Sequence, residues 1–181
     1  SIRKATPAVE SPTTPAYLPR LDDGLLDQKW FTNTPLPWTK RGPADFFWAK
    51  DDLNLKGRTI NILWERPTIL SGETDACDQA VAYELQTFIP EQFSQALSRQ
   101  SLSVVSRDQS PEIKLVGRTV ECNTRTNLFS LAYEVHTFDI KCIDTVTGEL
   151  LMAVHHRTID GVGFYFKGSG IKHNFKTWVS K

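Results

Sequence analysis

The stretch YEVHTFDIKCIDTVTGELLMAVHHRTI, residues 133–159, decides the fold of this chain. Its first half alternates between drier and wetter positions, and the drier face carries His136, Phe138, Ile140 and Cys142. This two-residue period is typical of a strand with one dry face. Asp144 can accept hydrogen bonds from its own turn, and Gly148 can adopt the positive φ that a hairpin loop needs. We therefore predict two long strands joined by a tight loop over residues 144–148.

The centre of this loop sets the expected register of the hairpin. With Val146 near the centre, Cys142 lies opposite about Leu150, and His136 lies opposite about His156. The sequence therefore predicts a pair of histidines across the two strands.

The pair of His136 and His156 has two interpretations. A metal or catalytic site would need a further ligand, for which Asp139 or His173 is the candidate. A structural pair needs no further ligand, and we favour this interpretation. Asp139 is itself predicted to be solvated or paired with Arg157 across the sheet. The sequence has no glycine-rich phosphate loop and no nucleophile elbow. We therefore predict a protein that is not an enzyme, without catalytic, cofactor-binding or metal-binding residues.

Length and charge narrow the class of protein. A chain of 181 residues with 40% hydrophobic content is long enough for one domain with an appended arm. Lysine plus arginine and aspartate plus glutamate both number 21, so the formal net charge is zero. Nucleic-acid binding needs clustered cations, and no basic run is longer than the two residues of Lys40 and Arg41. We therefore predict protein partners and no nucleic acid.

The three cysteines are Cys77, Cys122 and Cys142, and their spacing fits neither a metal site nor a disulfide framework. If the strand that ends near Cys122 forms a simple hairpin with the next strand, Cys122 lies opposite about Glu134. Cys142 is then too far along the sheet to form a disulfide with Cys122. We therefore predict buried free thiols, which both a reducing compartment and the periplasm would allow.

The other segments extend the hairpin into a sheet with helices. Strands are predicted over residues 58–66, 101–106 and 112–122, and a final helix over residues 170–181. An amphipathic helix is predicted over residues 75–99. We expect a kink or break between Ile89 and Pro90, because an internal proline removes a backbone hydrogen bond. Gly117 is a candidate β-bulge. The order predicts an α+β fold, with a mostly antiparallel sheet of about five strands and two helices on one face.

The amino-terminal end has a different character. Seven of the ten prolines fall within residues 1–43, and residues 1–19 have little to bury, which predicts an extended tether. The following segment is rich in large aromatic residues: Trp30, Phe31, Trp38, Phe46, Phe47 and Trp48. We therefore predict a proline-rich tether and aromatic arm over residues 1–50, and an α+β domain over residues 51–181.

The aromatic residues of the arm allow two arrangements. The arm can wrap over the core of its own domain, which is the simpler interpretation. Alternatively, it can dock onto a neighbouring subunit or another protein, because clustered exposed aromatic residues mark interaction surfaces. In the second arrangement the six aromatic residues form a protein interface.

The layout resembles a group of bacterial envelope lipoproteins of poorly characterised function. Related architectures are the amino-terminal domain of TolB and the curli-secretion, Pel-polysaccharide-export and penicillin-binding-protein-activator lipoproteins. The resemblance rests on residues 55–57, residues 115–118, and Asp144 with residues 147–150 in the hairpin. It implies a periplasmic protein associated with the outer membrane, tethered through a lipidated cysteine upstream of Ser1.

Together these features predict an accessory or assembly protein of the cell envelope. We expect it to act through protein–protein contacts and to form a homo-oligomer or join a larger envelope assembly. The alternative is a binding module for a polysaccharide or peptidoglycan, in which the aromatic residues of the arm stack on sugar rings.

Overall fold

The computed structural model describes residues 24–66, 79–106, 108–126, 132–161 and 169–179. The elements in chain order are α1 (Gln28–Phe31), β1 (Thr39–Arg41), β2 (Ala44–Ala49), β3 (Thr59–Trp64), α2 (Gln79–Ser98), β4 (Ser103–Val104), β5 (Ile113–Thr126), β6 (Ala132–Asp144), β7 (Leu150–Gly161) and α3 (Ser169–Val179). The predicted tether over residues 1–19 lies outside the described residues. No described helix is both long and apolar enough to cross a membrane.

The strands form one seven-stranded sheet in the order β1-β2-β7-β6-β5-β3-β4. Strand β3 runs parallel to both β4 and β5, and the other neighbours are antiparallel. The α+β class is confirmed. The sheet differs from the prediction of about five strands because β1 and β2 form within residues 1–50, where no strand was predicted. The predicted boundary between residues 50 and 51 therefore separates these two strands from the sheet to which they belong.

The central hairpin of β6 and β7 closes as predicted. The carboxylate of Asp144 accepts hydrogen bonds from the backbone N–H groups of Val146 (2.9 Å) and Thr147 (3.0 Å), and Gly148 has a φ of +72°. The hydrogen bond from Thr147, together with those from the Arg58 guanidinium (2.9 Å) and from Val146, lowers the pKa of Asp144 to about 2.

The predicted register of the hairpin is wrong by two residues. Cys142 pairs with Met152, and His136 pairs with Thr158. Next to the loop, Ile143 pairs with Leu150. An irregularity between Cys142 and Ile143 then shifts every pair farther from the loop by one more residue. Because the error is an even number, each side chain keeps its expected face of the sheet.

Helices α2 and α3 cover one face of the sheet, which we call the helix face. The α2 side chains Leu85, Ile89 and Phe93 recur every four residues and are buried there. α2 is continuous through Pro90, so a break is not present. The burial of Ile89 and Phe93 on both sides of Pro90 stabilises the helix against the lost hydrogen bond. The first part of the predicted helix, residues 75–78, lies outside the described residues.

Strand β5 contains a bulge, but the bulge is not at Gly117. The register with β6 shifts between Thr119 and Glu121. The shift moves Glu121 onto the same face as Arg118, whereas simple alternation would place it on the helix face. The bulge therefore gathers charged side chains on the face opposite the helices.

Candidate functional site: the arm and the sheet edge

Residues 24–38, which we call the arm, lie across the face of the sheet opposite α2 and α3. Asp27 caps the short helix α1 by accepting a hydrogen bond from the backbone N–H of Lys29. The side chain of Gln28 holds the following turn together. Its amide donates to the carbonyl of Thr34 (3.1 Å) and accepts from the indole N–H of Trp38 (2.9 Å).

A row of aromatic rings joins the arm to the sheet. Consecutive rings meet edge to face, with centroids 4.8–6.2 Å apart, along the series Trp30, Phe31, Trp38 and Phe46. Phe31, Trp38, Phe46 and Ala153 form a second buried core on this face. The arm therefore packs on its own domain.

This packing divides the six aromatic residues of the predicted interface. Phe31, Trp38 and Phe46 are buried by the chain itself, so they have no surface to offer a partner. Trp30, Phe47 and Trp48 are partly exposed. Of these six residues, Trp30, Phe47 and Trp48 are therefore the ones that have surface to offer a partner.

Beneath the arm lies a cluster of buried charges. The Arg118 guanidinium donates to one oxygen of Asp139 from Nε and from a terminal nitrogen, both at 2.9 Å. The other oxygen of Asp139 is 2.6 Å from Nδ1 of His155. The exposed fraction of these three side chains is 4% or less. Burial of such charges is costly unless they are paired, and here each has a partner.

Trp30 closes this cluster from the arm side. Arg118 and Lys141 both lie over its indole ring, 4.5 and 4.0 Å from the ring centroid. Lys141 also donates to the backbone carbonyl of Trp30 (2.6 Å), and the indole N–H donates to Glu65 (3.2 Å). Asp27 adds a salt bridge to Arg118 at 3.3 Å. Burial lowers the pKa of the Lys141 ammonium, and the charge of Arg118 acts in the same direction.

The prediction for Asp139 is wrong in both of its forms. Asp139 is fully buried rather than solvated, because the arm covers its face of the sheet. Its charge is balanced by Arg118 rather than by Arg157. Arg157 instead pairs with Glu121 (3.4 Å), which also accepts a hydrogen bond from Thr137 (3.0 Å).

The histidines do not converge with Asp139. His136 and His156 lie on the helix face, and Asp139 lies on the arm face, so the sheet separates them. His136 is fully buried beside Phe138 and Phe175. Burial lowers its pKa to about 3, and the charge of His156 contributes.

The two histidines differ in their partners. One nitrogen of His136, Nε2, is 3.2 Å from the hydroxyl of Thr119, and its Nδ1 has no hydrogen-bond partner among the residues that the structure describes. His156 binds Asp45 at 2.8 Å and stacks on Trp178. Burial opposes ionisation of Asp45, but the hydrogen bonds from His156 and from the backbone of Arg157 outweigh it and lower the pKa of Asp45. Within the described ranges, no three His, Cys, Asp or Glu side chains are grouped to hold a metal ion.

The cysteines correct part of the prediction. Cys142 is a buried free thiol, and burial raises its pKa to about 12. Cys122 is not free, because it takes part in a disulfide bond. The expectation that Cys122 and Cys142 are not bonded to each other is confirmed. Cys77 lies outside the described residues.

An apolar groove of about 1520 Å³ opens on the helix face beside β1 and β2. The sheet contributes Phe47, Met152 and Val154, and the helices contribute Leu97 and Trp178. α2 packs on β3, β4 and β5, and α3 packs on β6 and β7, so among the described residues no helix packs closely on the β1 and β2 side of this face. The groove is the result of this uneven coverage.

Strand β1 borders the groove and forms an edge of the sheet. Its residues Thr39, Lys40 and Arg41 are all exposed. The guanidinium of Arg41 lies over the ring of Phe47, 5.1 Å from its centroid. An exposed sheet edge and an apolar groove thus lie side by side.

Comparison with solved structures finds bacterial lipoproteins, as the sequence resemblance predicted. The PelC dodecamer from Paraburkholderia phytofirmans is 11% identical, with a TM-score of 0.45; the match covers 74% of this chain and 89% of PelC. Lipoprotein GNA1162 from Neisseria meningitidis is 11% identical, with a TM-score of 0.47, over 67% of this chain and 94% of that chain. Protein XCC0632 from Xanthomonas campestris is 7% identical, with a TM-score of 0.47, over 73% and 82%. No protein family and no curated protein matches the sequence.

Sequence reasoning missed the partners of Asp139. Arg118 and His155 are charged or titratable residues within strands, and alternation places both on the face away from the helices. That placement was available from the sequence. The covering by Trp30 and Asp27 was not, because no local pattern links α1 to β5.

Proposed function

We propose that this protein is a non-enzymatic accessory or assembly component of the bacterial cell envelope. In this proposal it acts through protein–protein contacts and self-association. The observation that carries the proposal is the exposed edge of β1 beside the apolar groove, since exposed strand edges and apolar grooves are both common docking surfaces. The arm packs on the opposite face of the sheet, and this packing holds β1 and β2 in position.

The state of the titratable residues supports a structural role. Arg118 and His155 are buried and both bind Asp139, and Arg118 also binds Asp27 of the arm, so these contacts stabilise the packing of the arm on the sheet. His136 lies in the aromatic core under α3. Each of these residues is used in holding the fold together.

The disulfide at Cys122 supports a location outside the cytoplasm, because disulfides persist mainly in oxidising compartments. We infer a periplasmic protein. We further propose that a lipidated cysteine upstream of Ser1 tethers it to the outer membrane, with residues 1–23 as the connection to the domain.

The test of the proposal is the mass of the protein in solution, measured by light scattering. We expect an assembly larger than one chain for the wild type and a monomer for Phe47→Ser, which removes an apolar ring from the groove. Tyr83→Ser is the matched control, because Tyr83 is 77% exposed on α2 and does not line the groove. A wild-type monomer at all concentrations would contradict self-association.

Deletion of residues 1–50 is not a suitable test. It would remove β1, β2 and the buried rings of Trp38 and Phe46, so we expect the truncated domain to unfold. Circular dichroism of the truncated protein checks this expectation. A folded truncated domain would show that the arm is dispensable for stability.

A glycan-binding module is the alternative function. Trp178 lines the groove and is partly exposed, so its indole ring could stack on a sugar ring; Trp48 packs against the second core on the opposite face of the sheet. Titration with soluble peptidoglycan fragments, followed by tryptophan fluorescence, distinguishes the two functions. Saturable quenching that Trp178→Phe abolishes would favour glycan binding over protein docking.

A further inference from the structure

The outer side of β1 is the starting observation. β1 pairs with β2 on its inner side, and in the described part of the chain no strand pairs with it on its outer side. A strand edge in this state has backbone N–H and C=O groups that can bind another strand. A bound segment that extends the sheet here would place every second side chain on the helix face, above the groove.

The charges on this edge restrict what can bind. Lys40 and Arg41 are exposed, and within the described ranges neither makes a salt bridge. A second copy of the chain that paired through its own β1 would bring these cations close to their counterparts, and like charges on adjacent strands are destabilising. The edge therefore disfavours pairing of β1 with the β1 of a second copy, so self-association through this surface would join β1 to a different part of the second copy. The edge favours an acidic segment.

The groove supplies the apolar part of the surface. Phe47 lies on the helix face of β2, next to β1, and Met152 and Val154 continue the same face on β7. Trp178 of α3 forms part of the opposite wall, with its indole N–H bonded to the carbonyl of Pro43. The groove therefore offers apolar contacts along one face of an added strand.

We propose that β1 and the groove bind an extended segment of a partner protein, with apolar side chains at alternate positions and acidic residues at the end that meets Lys40 and Arg41. The segment adds a strand to the sheet, so its backbone supplies affinity and its alternate side chains supply specificity. Asp51 and Asp52 border the groove beyond the end of β2, whereas Arg41 lies next to the β1–β2 turn. The acidic end of the bound segment should therefore lie at the Arg41 end of the groove. The inference rests on the proposed function and names the chemistry of the partner.

The experiment uses the full chain and a phage-displayed library of random dodecapeptides. The library is first depleted on the K40E/R41E double variant and then selected on the wild type. We expect the selected peptides to alternate apolar residues and to carry Asp or Glu near one end. Synthetic copies should bind the double variant about tenfold more weakly or worse, because a charge contact is lost and a repulsion gained. Arg66→Glu, which reverses an exposed charge away from the groove, is the matched control and should bind as the wild type does.

Two further measurements separate a strand from other occupants. Hydrogen exchange should show slower exchange in residues 39–41 when the peptide is bound, because an added strand covers their backbone. A peptide in which Asp and Glu are replaced by lysine should bind the K40E/R41E variant and not the wild type. Rescue of this kind would confirm the direct charge contact.

Three results of the selection would overturn the inference: no enrichment of peptides, selected peptides with apolar residues at helical spacing, or binding unaffected by K40E/R41E. A fourth would be binding of a fatty acid, tested with oleate, in place of peptide. Lys40 and Arg41 would then only protect the edge from aggregation. The proposed function is judged separately by light scattering. Wild-type assembly without selected peptides defeats this inference alone, and selected peptides with a monomeric wild type defeat self-association alone.

Discussion

The six-membered ring of Trp64 lies against Gly117 of the neighbouring strand, in the space that a side chain at position 117 would occupy. Trp64 is buried, and its indole N–H donates to the hydroxyl of Thr119 at 3.2 Å. The absence of a side chain at Gly117 thus allows the largest ring of β3 to reach the core beneath α2 and α3. This glycine is required for packing rather than for its backbone conformation.

Gly117→Ala should destabilise the protein by about 1–3 kcal/mol, as expected for an added methyl group in a packed core. The added methyl group would overlap the ring of Trp64, which cannot move away without losing its hydrogen bond. Urea unfolding measures the loss. In the double variant G117A/W64L the smaller side chain should relieve the overlap, so the two losses should not add. Additive losses would contradict a direct clash.

Asp139→Asn should be among the most destabilising single substitutions in the chain. It leaves Arg118 buried with only the partly exposed Asp27 as a counter-charge, and breaking a buried ion pair in this way costs about 3–5 kcal/mol. Chemical unfolding measures the cost. Asp51→Asn, an exposed aspartate, is the control and should change stability by less than about 0.5 kcal/mol. Equal effects of the two substitutions would mean that the cluster under the arm contributes no stability.

His136 should make the protein less stable as the pH falls below neutral. Burial lowers its pKa from 6.5 to about 3, so the unfolded chain binds a proton in this range and the folded protein does not. The stability from neutral His136 is present above pH 6.5 and is lost as the pH falls towards 3. The slope is at most about 1.4 kcal/mol per pH unit.

The variant His136→Leu tests this slope. Unfolding free energies between pH 7 and about 5, above the range where carboxyl groups titrate, should fall less steeply for the variant than for the wild type. His173→Gln is the control, because His173 is exposed on α3 and its replacement should leave the slope unchanged. If His136→Leu keeps the wild-type slope, the charge of His136 is not linked to folding.

The thiols should show distinct reactivity. Cys142 is buried with a pKa of about 12, so it should not react with Ellman's reagent in the native protein at pH 8. In denaturant without a reductant we expect fewer than three reactive thiols per chain, and three after reduction, since Cys122 is disulfide-bonded and the chain has three cysteines.

Cys122→Ser should lower stability by about 2–5 kcal/mol through loss of the disulfide. Peptide mapping of the non-reduced wild type should recover the Cys122 peptide in a disulfide-linked pair that does not contain Cys142. Three reactive thiols in non-reduced denaturant would contradict the disulfide.

The sequence was sufficient for the central hairpin because its periodicity records which side chains face the core. Phe138 and Ile140 are buried on the helix face as the alternation predicts. The register was not predictable, because the irregularity after Cys142 depends on how β7 fits against β6 and has no local pattern.

The environment of Asp139 was not predictable for a different reason. Alternation places Asp139 on the face away from the helices, and such a face is solvated unless another element covers it. The covering element is α1, a short helix in a proline-rich segment whose composition suggested an extended arm. The pairing of Trp30 with Arg118 and Lys141 is a tertiary contact, and it became visible only in the folded structure.

The position of β2 has a consequence for how the chain folds. Asp45 on β2 and its partner His156 on β7 are 111 residues apart in the sequence. During synthesis β1 and β2 therefore emerge first, but β2 cannot pair with β7 until nearly the whole chain has been made. Non-local pairings of this kind slow folding and leave apolar strands unprotected in the meantime. We infer that the segment containing Trp38, Phe46 and Trp48 has the greatest need of a chaperone until the hairpin of β6 and β7 has formed.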